Sequence, residues 1–289
     1  MSDSVGVFAT LLGWLLPFEC LQAPFMRQAL LGLVLLAPMA ATMGVQVVNF
    51  RMAFFADAIS HSAFAGVAMG LIFAVNPQWS MLVFGLLVGV GIMAVQRRSS
   101  LSSDTVIGVF FSAVVAFGLA VVSRDRNAAR DLQRFLYGDI LTLDHDSLIC
   151  LQILFAVIML FQIWGYNRML YIGLNPLLAE AHKVRVAAYQ FVFAGLLSLV
   201  VIFAVWAVGV LLVTALLIVP AATARNLARS AGSMFWWALV VSLTSAVSGL
   251  LISAQDWART ATGATIILVA CVWFGGSLLA TSGRGRRGG

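Results

Sequence analysis

In the string FRMAFFADAISHSAFAGVAMG, Asp57 and His61 stand four positions apart in an otherwise apolar stretch. Residues at that spacing project from one face of a helix, one turn above the other. A carboxylate oxygen and a neutral imidazole nitrogen together suit zinc, manganese or ferrous iron and need no thiolate. The same pair could instead form a hydrogen bond that pins two helices, or pass a proton along a span. Counted from Arg51 at a membrane surface, His61 lies about 15 Å deep at about 1.5 Å per residue, near the bilayer midplane.

Other residues have the right types but weaker settings. Asp104, in SSDTVIGVFF, could add a carboxylate or could cap the helix that it opens. Asp139 follows Gly138 in YGDILTLDHD, where a turn is as good an explanation as a ligand. Asp144, His145 and Asp146 form a compact cluster at a loop edge, suited either to attracting cations or to capping the next helix. His182 beside Lys183 reads as a solvated contact residue. Cys20, Cys150 and Cys271 are far apart, form no CxxC pair, and read as small apolar residues.

The elements that carry these residues are dictated by composition. Of 289 residues, 62% are hydrophobic and only 10% charged, with a mean hydropathy of +1.02. A soluble domain carries roughly 25% charged residues, so this chain cannot cover a water-facing surface of its size and takes the bilayer as solvent. The net charge is +6, but the arginines sit singly or in pairs between apolar runs, a topology signal rather than a nucleic-acid patch.

Apolar runs predict an all-α polytopic fold of about nine spans (eight being possible), at 25–48, 54–75, 79–96, 105–122, 147–165, 187–206, 208–224, 234–253 and 263–280. They form one transmembrane domain over 25–280 with no soluble domain. Residues 1–24 form an N-terminal segment at the interface, and 281–289 a basic tail. A single helix over 187–224 would be about 57 Å long, nearly twice the hydrocarbon thickness, so a turn near Gly209 is expected to split it. Pro220 falls within a span and is followed by Ala221, Ala222, Thr223 and Ala224, which predicts a closely packed bend. No phosphate-loop, HExxH or GxSxG motif occurs, so neither ATP hydrolysis by that route nor those protease or esterase chemistries are expected of this chain. No cleavable leader is expected either, because Asp3 stands where a basic region would precede the apolar segment.

Five ordered strings resemble the membrane permeases of the zinc/manganese/iron class of ABC importers. They are FRMAFFADAISHSAFAGVAMG at 50–70, SSDTVIGVFFSA at 102–113, FLYGDILTL at 135–143, NPLLAEAHKVRV at 175–186 and VGVLLVTALLIVPAATARNLARS at 208–230. The resemblance runs from about Pro24 to about Leu279. It implies a multi-pass protein of a bacterial cell membrane, working as a homodimer. Its partners would be a cytoplasmic ATP-binding subunit and an extracytoplasmic metal-binding protein. It further implies a transported divalent metal with no permanently bound cofactor, Asp57 and His61 on the metal pathway, and Pro176, Leu177, Leu178, Ala179, Glu180 and Ala181 as the ATPase-coupling segment. Two departures stand out: Ala56 where the family often has glycine, and Lys183 where the coupling segment often has glycine. The competing functions are a permease for a metal chelate such as a siderophore, a proton-coupled secondary transporter, and an intramembrane enzyme. A secondary transporter would be expected to show internal repeats, and none is evident.

Orientation follows from the basic residues. Placing 49–53, 97–103, 166–186, 225–233 and the tail in the cytoplasm puts eleven of the 17 Lys and Arg residues there, against six outside. A reporter fused after Arg287 should therefore be cytoplasmic and one inserted near residue 128 should be outside. Reversed protease or thiol-label accessibility would overturn this orientation.

Overall fold

The computed structural model describes residues 23–123, 145–255, 257–258 and 260–285. The predicted N-terminal interfacial segment, Asp139, Asp144 and the end of the basic tail lie outside the described residues. Ten helices make up the fold: α1 Pro24–Asn49, α2 Phe55–Ile72, α3 Pro77–Arg98, α4 Ser103–Val122, α5 His145–Leu174, α6 Pro176–Ala181, α7 Val186–Val208, α8 Val210–Leu227, α9 Ala231–Ser253 and α10 Thr262–Gly285. No strand occurs among the described residues.

Local chemistry sets the helix ends. Pro24 and Pro77 occupy first turns, where a missing N–H costs nothing. Asn76 caps α3 by accepting from Gln78 N at 2.9 Å. Ser230 and Ser233 form a reciprocal capping box on α9. Gly209, at φ 86°, is both the end of α7 and the start of α8, and this left-handed residue breaks the long apolar run where a turn was expected. Helix α5 runs on to Leu174, past the predicted end at 165, which leaves only Asn175 between it and α6. A contact between the Arg168 guanidinium and the Tyr189 hydroxyl of α7 anchors that extension.

Seven of the described helices are long and apolar enough to cross a membrane. The six-residue α6 is too short to do so, and α2 and α8 have 18 residues each. Both are surrounded by other helices, so their polar residues face protein. Helix α1 is the centre of the bundle: 78% of its most apolar window is buried, against 22% for α4 and α10. It packs on α5, α8 and α9, while α2, α3 and α4 form a second group joined to the first through α7.

Small residues allow the tightest crossings. A β-carbon at Gly44 of α1 would lie 1.9 Å from the Leu217 carbonyl oxygen of α8. One at Gly66 of α2 would lie 2.7 Å from Met81 Cα, and one at Gly249 of α9 2.6 Å from Ile266 Cα. In each case the obstacle is backbone, which cannot rotate aside. Gly44→Val should therefore destabilise the protein by more than the ~1–3 kcal/mol typical of overpacking, read as a lower melting temperature in detergent. Gly275→Val is the control, since nothing lies within 4 Å of that position and the melting temperature should hold.

Candidate functional site

Helix α2 begins inside the protein. Phe55 and Ala56, its first residues, are fully buried, and Asp57 stands in its first turn. Ile59 and Ser62 lie against Gly89 and Gly85 of α3, close to the middle of that 22-residue helix. His61 falls between those two levels, at mid-depth in the bundle, as the count from Arg51 anticipates. The flanking hydroxyls turn inward on their own helix: Ser60 Oγ donates to Ala56 O at 2.7 Å and Ser62 Oγ to Ile59 O at 2.6 Å. Asp57 and His61 are thus left as the groups on this segment free to face a ligand, and both are half-buried.

Each member of the pair is held from a neighbouring helix. Thr214 Oγ1 of α8 donates to Asp57 Oδ1 at 2.7 Å. That bond fixes the carboxylate and leaves its second oxygen open. The His61 imidazole meets the Phe111 ring of α4 edge-on with centroids 5.0 Å apart, and Phe64 at 5.6 Å. These rings limit the rotation of the imidazole and keep water from one side of it. A charged carboxylate at this depth is costly, and a hydroxyl donor is the kind of partner that makes it tolerable.

The other candidates do not join this pair. Asp104 is exposed in the first turn of α4. The cap itself is Ser102, whose hydroxyl accepts from Thr105 N at 3.2 Å. Asp146 is exposed in the first turn of α5. No group of three or more His, Cys, Asp or Glu residues occurs among the described residues. A divalent transition metal takes about four to six ligands, so Asp57 and His61 would leave positions for water or for groups from another chain. Pro220 lies inside α8, with helix on both sides of it. Its neighbour Thr223 donates back to Val219 O at 2.8 Å.

Thr214 and Phe111 are the residues that sequence reasoning missed. Thr214 stands in the quoted string at 208–230, but a threonine in a span ordinarily bonds back to its own helix, as Thr223 does. Only the packing of α8 against α2 reveals its different partner.

Segment 175–186 takes a definite shape. The Asn175 side chain accepts from Leu177 N at 3.0 Å and from Leu178 N at 3.3 Å, which starts α6. Ala179 is buried against the body, whereas Leu177 and Leu178 are 77% and 61% exposed and Ala181 is also exposed. Lys183 follows at φ 59°, a left-handed conformation that favours glycine.

An all-helical multi-pass membrane protein with a carboxylate–imidazole pair held at mid-depth is therefore the class that fold and site define. The chain matches the family described as the ABC 3 transport family over residues 22–281, and it belongs to that family. It is 33% identical over 246 residues to the high-affinity zinc uptake system membrane protein ZnuB of Haemophilus influenzae, covering 85% of this chain and 94% of that one. It is 32% identical over 251 residues to the manganese import system permease protein ScaB of Streptococcus gordonii, covering 86% and 89%. Among solved structures it resembles PsaBC from Streptococcus pneumoniae in complex with Fab, with a TM-score of 0.74, 30% identity, and coverage of 96% of this chain and 95% of that one.

Partners that orient a metal ligand typically change affinity by about 10–100-fold when removed. Thr214→Val should weaken binding of manganese or zinc to the purified protein by that factor in a calorimetric titration. Thr214→Ser, which keeps the hydroxyl, should stay within a few-fold of the parent.

Proposed function

We propose that this chain is the permease subunit of an ATP-driven importer that carries divalent transition-metal ions into the cytoplasm. The observation that carries the reading is the Asp57–His61 pair at mid-depth, with Thr214 holding the carboxylate, in a member of a transport family. The relatives named for zinc and manganese uptake support those two ions first, with ferrous iron of the same ligand preference. The metal is cargo. Its route needs oxygen and nitrogen ligands that bind well enough to draw the ion from water and weakly enough to release it.

Energy must come from another chain. The sequence has no nucleotide-binding phosphate loop, and a ligand alone shifts a conformational equilibrium only by its differential affinity. The exposed Leu177, Leu178 and Ala181 of α6 form the docking surface for a cytoplasmic ATP-binding subunit, and buried Ala179 ties that surface to the body. An extracytoplasmic binding protein delivers the ion at the opposite end, and two copies of this chain form the pathway. In this arrangement the C-terminus is cytoplasmic and the protein lies in a bacterial cell membrane. A chelate permease is the competing reading, and it has no use for a fixed carboxylate–imidazole pair at mid-depth.

Uptake of zinc, manganese and ferrous iron by cells lacking this chain, restored with wild-type or variant copies, tests the proposal. Asp57→Ala and His61→Ala should each abolish uptake of the bare ion while the protein remains inserted. The double change Leu178→Asp with Ala181→Asp should abolish uptake and co-purification with the ATPase. Normal uptake by His61→Ala, or uptake confined to a metal–siderophore complex, would overturn the reading.

A further inference from the structure

At the end of the bundle that carries most of the basic residues, the ends of α1, α3 and α5 and the starts of α7 and α9 enclose a cavity of about 720 Å³. Three arginines from separate segments line it: Arg51 after α1, Arg225 in the last turn of α8, and Arg229 between α8 and α9. No Asp or Glu among the described residues lines it. The N-terminus of α9 also opens here. The Ser230 hydroxyl takes the Ser233 N–H and the Ser230 carbonyl takes the Met234 N–H, so the Ala231 and Gly232 amides at that positive helix end stay open. Gln190, which lines the cavity, is itself drawn to Arg97, whose Nη1 donates to its Oε1 at 2.5 Å. The rest of the wall mixes the polar Asn49 and Gln96 with apolar side chains, including Phe50, Leu170 and Leu174, the last of them 83% exposed.

A cation has no use for such a place. Three guanidiniums with no carboxylate beside them in the described lining repel a divalent metal, and neither Asp57 nor His61 lines the cavity. The chemistry it does fit is a phosphate-bearing anion, which guanidiniums and open backbone N–H groups bind together. The volume falls in the roughly 300–1,000 Å³ range of small-ligand sites. The mixed lining, three exposed arginines beside apolar side chains, matches a ligand with a phosphate and a hydrocarbon tail. The cavity also lies where spanning helices end, at the level of lipid headgroups. Basic pockets between membrane helices on the cytoplasmic side take anionic headgroups.

We propose that this cavity binds the phosphodiester headgroup of an anionic phospholipid, held by Arg51, Arg225 and Arg229, with its acyl chains over Phe50 and Leu174. The bound lipid joins the end of α1 to the α8–α9 connection, and so ties together two parts of the bundle that the cavity separates. This site is independent of the metal pair, and its test does not depend on transport.

The full permease–ATPase complex is reconstituted in nanodiscs of phosphatidylcholine with or without phosphatidylglycerol, and retained lipid is read by native mass spectrometry. The wild-type complex should keep phosphatidylglycerol at least about tenfold more strongly than the variant with Arg51→Gln, Arg225→Gln and Arg229→Gln. The corresponding Arg→Lys variant, which keeps the charge, should retain most of it. If the triple Gln variant does not purify, the single Arg229→Gln change should still lower retention several-fold. Millimolar inorganic phosphate should not displace the lipid. Equal retention by wild type and Gln variants would overturn the proposal. So would displacement by free phosphate, which would make the site one for a soluble anion. Loss of ATPase co-purification with lipid retention unchanged would also overturn it, by assigning the arginines to the partner subunit.

Discussion

The hydrocarbon core of a bilayer has no water to solvate a charge, and that constraint accounts for the treatment of Asp57. A carboxylate at mid-depth must be shielded by protein and given a donor. The shield is the interior start of α2, with Phe55 and Ala56 fully buried. The donor is Thr214, brought in by α8. The 18-residue helices α2 and α8, each packed among other helices, are thus the ones that meet at the carboxylate.

The same constraint operates on the backbone. Every buried N–H and C=O must find a partner, and helices satisfy nearly all of them internally. What remains is collected at the ends, where Asn76, Ser102, Asn175 and Ser230 supply side-chain acceptors. Hydroxyls within spans are absorbed by bonds to preceding carbonyls, as in Ser60, Ser198 and Thr223. Other hydroxyls instead reach another helix: Ser242 of α9 donates to Ala37 O of α1 at 2.9 Å, and Thr214 donates to a side chain, the Asp57 carboxylate.

Much of this was legible in the sequence because the bilayer simplifies the code. Runs of apolar residues give the helices directly, and the 187–224 run was too long to be one helix, so its break at Gly209 could be placed from length alone. The spacing of Asp57 and His61 gave their shared face. The outlines were less exact where polar residues continue a helix: Tyr166 to Leu174 belong to α5 although they read as a loop. Asp104 proved to be a first-turn residue, because Ser102 two positions earlier had already taken the cap. Thr214 lies 157 positions from Asp57, and no local pattern encodes which face of α8 meets α2. That register is a property of packed glycines and side-chain volumes across several helices.

The glycine contacts have a mechanical consequence. Where backbone touches backbone, as at Gly44 against Leu217, Gly66 against Met81 and Gly249 against Ile266, two helices are keyed together and cannot slide. The bundle therefore consists of a block built on α1, α8, α9 and α10 and a block built on α2 and α3. Across the line between α2 and α8 runs a different kind of link, the hydrogen bond from Thr214 to Asp57, which can break and re-form without moving a backbone atom through another. The second Asp57 oxygen stays open beside that link, so the carboxylate that ties one block to the other is also free to meet a ligand.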